Sequence, residues 1–137
     1  MIIADTNVLS EPLRREPDAR VLAWLVAHQD DLAVTTITVA ELLHGARRLP
    51  DGRRREVLLE SIERLVLDAG DRLLAFDVEA ARAAAELRVA REQAGRPTSS
   101  EDLMIAAIAR AHDSLVATRN TADFEGFGVG VLDPWRT

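Results

Sequence analysis

Met1-Ile2-Ile3-Ala4-Asp5-Thr6-Asn7 opens the chain, and the change of character at Asp5 governs the reading of everything after it. Four residues of apolar run end abruptly at an acid. A short apolar run bounded by polar residues suits a buried strand. In an open parallel sheet, ligands sit just outside the carboxyl ends of the strands. Asp5 is therefore expected at that rim, with Thr6 and Asn7 to orient it. The competing role is plainer: Asp is a favoured N-cap, and Asp5 would cap a helix starting near Asn7. The stretch alone does not separate the two; the acids further along do.

Working outward, short apolar runs alternate with longer helical patterns. Pro17 and Asp18 open a helix in which Val21, Leu22, Trp24, Leu25 and Val26 recur as far as His28. Leu32-Ala33-Val34-Thr35 reads as a second buried strand. Thr38 is expected to begin the next helix, because Thr38-Val39-Ala40-Glu41 matches a capping box. Leu49-Pro50-Asp51-Gly52 is a turn, and a helix follows from about Arg53 to Leu67, ending near Gly70. Residues 72–76 are a third strand. Asp77 caps an Ala-rich helix to about Ala94, closed by Gly95. Ser99 opens a largely apolar helix; Leu115-Val116-Ala117-Thr118 is a fourth strand and residues 128–132 a short fifth. This alternation predicts an α/β fold: a parallel sheet of four to five strands with helices on both faces.

The totals narrow the classes. A chain of 137 residues supports one core but not two, so a single domain over 1–137 is expected. Apolar residues make up 47% and aromatics 4%, so the core must be mostly Ala, Leu, Val and Ile. There is no cysteine, which excludes disulfides and thiolate metal sites. No apolar stretch is long enough for a bilayer, and no secretory signal is visible, so a cytoplasmic protein is expected. All 17 basic residues are arginine, and the formal charge is −6. A purely electrostatic nucleic-acid binder would be basic. An acidic enzyme acting on nucleic acid needs local patches or a metal to supply the attraction.

Three acids stand out by position: Asp5 after the first strand, Glu41 in the first turn of a helix after the second, and Asp102 in the first turn of the helix opening at Ser99. Such positions converge at one rim of a parallel sheet. Carboxylates brought together repel unless something positive lies between them. A hard cation with oxygen ligands, Mg²⁺ or Mn²⁺, meets that need. A water on it becomes a better nucleophile, and the ion neutralises charge on a phosphate. Each acid also has a local role to weigh: Glu41 in the capping box, Asp102 at the third helical position, where an acid complements the dipole.

Four motifs then occur in order: Asp5-Thr6-Asn7-Val8-Leu9-Ser10-Glu11-Pro12, Thr38-Val39-Ala40-Glu41-Leu42, Asp102-Leu103-Met104-Ile105-Ala106-Ala107, and Ala117-Thr118-Arg119-Asn120-Thr121-Ala122-Asp123-Phe124, followed by Leu132-Asp133-Pro134-Trp135. Together they resemble a PIN domain, specifically a VapC-type toxin of the FitB-like branch, over essentially the whole chain. The resemblance implies a metal-dependent endoribonuclease restrained by a VapB-type antitoxin, and a homodimer. It implies acidic site positions at Asp5, Glu41 and Asp102. The fourth position falls on Asn120, an amide that orients but brings no charge. Asp123, three residues on, is expected to take over part of that role, which leaves a second metal open. Thr118 and Ser100 are expected to supply supporting hydroxyls.

Other features read as structure. The Arg53-Arg54-Arg55 run is a solvated face, with contact to RNA phosphates alongside Arg47 and Arg48 as the alternative. His28, His44 and His112 are scattered, and Trp24 and Trp135 are packing residues. The helix face of Val57, Leu58, Ile62 and Leu65 suits core or a dimer surface. Two alternatives to the nuclease are a non-catalytic RNA- or protein-binding module on the same fold and a metal-dependent phosphatase. The phosphatase would want a second acid at the position of Asn7 and a lysine, and neither exists.

Overall fold

The computed structural model describes Met1–Thr137. Its centre is β1 (Ile2–Ala4), flanked by β2 (Leu32–Thr35) and β4 (Leu115–Ala117). With β3 (Leu73–Leu74) and β5 (Val131–Leu132) they form a five-stranded sheet in the order β3-β2-β1-β4-β5. Every pairing is parallel; Ile3 stands opposite Ala33 on one side and Val116 on the other. The chain winds outward from β1 to β3, then returns to β4 on the other side of β1. That reversal opens a crevice at the carboxyl ends of β1 and β4, where open α/β sheets hold their ligands.

Alternate residues of β1 point to opposite faces. Ile3 joins one apolar cluster with Ala33, Val116, Leu87 and the buried run Ile105–Ala109. Ile2 and Ala4 join the other with Val8, Val21, Trp24, Ala117 and Trp135. On the first face pack α5 (Val78–Gln93) and α6 (Ser100–Ala111), on the second α1 (Thr6–Ser10) and α2 (Ala19–Ala27). α3 (Thr36–Arg47) and α4 (Arg53–Ala69) pack together through Leu42, Ala46 and Ile62. Both tryptophans lie in the core. His28 stacks on Trp24, with ring centroids 4.4 Å apart, at the end of α2. No helix is long and apolar enough to cross a membrane.

Three local expectations need correction. α3 starts at Thr36, two residues early, because Thr35 is its N-cap: Thr35 Oγ1 accepts the Thr38 N–H at 3.1 Å. Thr38 and Glu41 are therefore no capping box, and Glu41 lies in the second turn. The third strand is Leu73–Leu74 alone, because Gly70–Arg72 forms a 3-10 turn before it. The fifth is Val131–Leu132, paired in register with Val116 and Ala117. The other caps stand as read: Asp18, Asp77 and Ser99 each accept a backbone N–H of the helix they open.

Ile108 is fully buried and Val78 is 64% exposed. Ile108→Ala should cost about 2–5 kcal/mol in urea unfolding through reduced burial and a residual cavity. Val78→Ala should stay within about 0.5 kcal/mol. Equal effects would contradict this assignment of the core.

Candidate active site

Asp5 caps α1 and also stands at the crevice, so both of its possible roles hold at once. It is 4% exposed. Its Oδ1 accepts the Thr6 N–H at 2.8 Å. Its Oδ2 accepts the Thr118 hydroxyl at 2.8 Å and the Asn7 amide at 3.1 Å. Thr118, fully buried just past β4, also takes the Asn120 N–H at 3.1 Å. The other end of the Asn7 amide is fixed, because its Oδ1 accepts the Arg119 N–H at 3.2 Å. Asn7 and Thr118 thus orient Asp5, while Ser100 makes no hydrogen bond to the acids. The hydroxyl beside Asp102 is that of Ser99, which accepts the Asp102 N–H at 3.1 Å.

Glu41 reaches the same crevice from α3. Its Oε1 accepts the Thr6 hydroxyl at 2.8 Å. Thr6 Oγ1 also lies 3.1 Å from Thr38 Oγ1. A hydroxyl has one proton, so with that proton on Glu41 the second contact is donated by Thr38. Residue 6 thus holds two acids: its backbone N–H fixes Asp5 and its side chain fixes Glu41. Only the first of these roles is suggested by the sequence.

Electrostatics ties the acids together. Burial pushes the Asp5 carboxyl above its ordinary 3.8, against the three donated hydrogen bonds, and the charge of Asp123 pushes the same way. Burial also raises Glu41 from 4.5, with the charges of Asp5, Glu101 and Asp102 added. Asp102 is raised by burial and by Asp5, Asp123 and Glu101. Glu101 escapes notice in the sequence because it reads as an ordinary first-turn acid. Asn120 and Asp123 are both exposed, and the charge at this edge comes from Asp123.

No arginine forms an ion pair with Asp5, Glu41 or Asp102. The donor set is all oxygen, clustered, and lacks a positive partner, which is the chemistry a hard divalent cation satisfies. No three of the acids stand close enough to form a ready-made cage. The set therefore suits an ion such as Mg²⁺, which keeps several waters and takes only one or two carboxylates.

A groove of about 290 Å³ adjoins Glu41 and Thr6, with Leu13, Leu42, Leu58 and Ile62 along it and Arg14 and Arg54 at its edge. Arg54 thus borders this groove, whereas Arg55 pairs with Asp51. On α4, Ile62 is buried and Leu58 and Leu65 pack against α3, while Val57 and Leu67 are exposed.

Comparison with known proteins gives a consistent picture. The family model described as "PIN domain" matches residues 2–128. "VapC ribonuclease Y4jK" of Sinorhizobium fredii is 42% identical over 137 residues, covering 98% of each chain. The crystal structure of FitAcB from Neisseria gonorrhoeae superposes with a TM-score of 0.94 at 40% identity, covering 100% of both chains. A member of the VapBC family of toxin-antitoxin systems, VapBC-5 from Mycobacterium tuberculosis, superposes at 0.68 with 30% identity, covering 94% and 93%.

The raised carboxyls fix a direction of pH dependence. Their stabilising contribution is full below the ordinary values of 3.8 and 4.5 and is lost as pH rises through the higher folded values. In chelator, raising pH from about 4 to about 7 should therefore lower the melting temperature of the wild type relative to Asp102→Asn. A gap that does not change with pH would show that neither burial nor the neighbouring charges raise the Asp102 carboxyl in the folded chain.

Proposed function

The chain belongs to the PIN-domain family, and from that premise we propose that it is the toxin of a toxin–antitoxin pair, a Mg²⁺-dependent endoribonuclease. The observation that carries this reading is the crevice itself: three carboxyls, each raised by burial and by the charge of at least one neighbouring acid, line the sheet's switch point without a cationic partner. Asp5 and Asp102 are the proposed direct ligands, with Glu41 binding directly or through water; Mn²⁺ is a substitute. When bound, such an ion lowers the pKa of a water and neutralises charge on a phosphate.

The chain's own residues supply the positioning. Asp5 is held by three donors and cannot swing. The Thr6 hydroxyl holds the Glu41 carboxylate toward the crevice. Asp123 adds charge at the open edge, and Asn120 offers an amide to a water or phosphate oxygen. In the step proposed, water oxygen bonds to phosphorus, the P–O3′ bond breaks, and the leaving 3′ oxygen takes up a proton. The RNA 2′-hydroxyl takes no part.

The groove beside Glu41 suits the partner. Its leucines and Ile62 would receive the apolar face of an antitoxin's C-terminal segment, running past Leu9, Leu13 and Leu43. An arginine from that segment would pair with the carboxylates through two parallel hydrogen bonds. Val57 and Leu67, exposed on α4, are the apolar surface proposed for a second copy of the chain.

Asp5→Asn, Glu41→Gln and Asp102→Asn should each abolish Mg²⁺-dependent RNA cleavage while circular dichroism shows the fold retained; full activity in Asp5→Asn would sink the assignment. Sequenced RNA ends should carry 5′-phosphates and 3′-hydroxyls, and recovery of 2′,3′-cyclic phosphates would rule the step out. Leu58→Asp should weaken the complex with the antitoxin by calorimetry. Replacing the tail arginine should restore RNase activity without dissociating it.

A further inference from the structure

The acids have a second neighbour, on the side away from the apolar groove. A cleft of about 550 Å³ opens between the end of α5, the start of α6 and the turn after β4. Arg91, Arg96, Thr98 and Ser99 line it, and Asp102 and Asp123 stand in its wall. The groove beside Glu41 has an aliphatic floor; this cleft is lined mostly by arginines, hydroxyls and acids.

Arg91 is the only buried arginine of the chain, at 7% exposure. Its Nη2 donates to the Asp123 carbonyl at 2.7 Å, and its guanidinium lies 4.1 Å from the centre of the Phe127 ring. Its Nε is buried without a partner, and so is the Thr98 hydroxyl. Two orphaned polar atoms on residues lining one cleft are costly unless something polar completes them. Arg96 is half-exposed and meets only Glu125, at 3.3 Å, in a pair open to solvent. Such pairs contribute little, so Arg96 can exchange Glu125 for a stronger anion.

We propose that this cleft is an RNA subsite, which takes the nucleotide next to the scissile phosphate, with Arg96 on that nucleotide's phosphate. The proposal rests on the nuclease reading above and deepens it. Arg91 forms the fixed floor, and Thr98 lines the wall beside it. Single-stranded nucleic acid is gripped through its backbone by basic grooves of this kind. The two sides of the acids then have separate occupants: a protein segment in the apolar groove, RNA in the polar cleft. A chain of formal charge −6 needs such a local patch, because its overall field repels RNA.

The test measures binding of a labelled random-sequence single-stranded RNA pool in the uncleaving Asp5→Asn background, and cleavage of the same pool by the parent chain in Mg²⁺. Arg96→Gln should weaken binding several-fold for all sequences alike and make the salt dependence shallower by about 0.7, since one phosphate is no longer neutralised. Arg96→Lys should keep most of that slope. Arg82→Gln, on the outer face of α5 and paired with Glu79, should change neither. Melting curves establish that each variant folds. Unchanged affinity and slope in Arg96→Gln, where the parent chain cleaves, would overturn the subsite alone. Unchanged RNA binding with a weakened antitoxin complex would reassign the cleft to protein. A parent chain that neither binds nor cleaves the pool would overturn the nuclease reading, and the subsite with it.

Discussion

The hydrogen bonds that converge on the Asp5 carboxylate are the constraint on which the rest depends. They come from Thr6 and Asn7 in α1 and from Thr118 after β4, residues 111 or more positions apart in the chain. A buried carboxylate is costly unless it is satisfied. Satisfying this one joins the ends of two neighbouring strands to the first turn of a helix. The sheet brings β1 and β4 side by side, and the carboxylate fixes how their ends face the crevice. A change at Thr118 would therefore act on the site while leaving the apolar core intact.

Much of the architecture was legible because each strand is a short apolar run and most helices carry their own caps. Asp18, Asp77 and Ser99 signal their helices locally, and the structure uses all three. The start of α3 was ambiguous for a definite reason. Thr35, Thr36 and Thr38 all offer hydroxyls within four residues, and the pattern ending at Glu41 favoured the wrong one. The winner was settled by β2, which ends at Thr35 and leaves it extended, as a cap must be. β3 is shorter than its apolar pattern, which continues to Phe76 while its neighbour pairs with only two residues.

The acids of the candidate site could be picked out of the sequence as a set; the side chains that support them could be only in part. The hydrogen bond from Thr6 to Glu41 spans 35 residues and leaves no local trace. Glu101 influences Glu41 and Asp102 through space, which no spacing rule reports. Arg91 does carry a signal in the sequence. It stands four residues after Leu87 on the buried stripe that includes Ala80, a place where an arginine is out of character. An arginine on an apolar stripe raises the question of what it is paired with. Here the answer is the backbone of Asp123 and the face of Phe127.

A carboxylate offers about four lone-pair sites, two on each oxygen. At Asp5, Oδ2 accepts two hydrogen bonds and is full, whereas Oδ1 accepts one, from the Thr6 N–H. Thr118 is saturated too: its single proton lies toward Asp5, and it receives the Asn7 amide and the Asn120 N–H. The valence of Asp5 and Thr118 is therefore complete except at one lone pair. Whatever enters the crevice can be grasped by Asp5 through Oδ1 alone, from one direction, and the protein has settled that handedness before anything arrives.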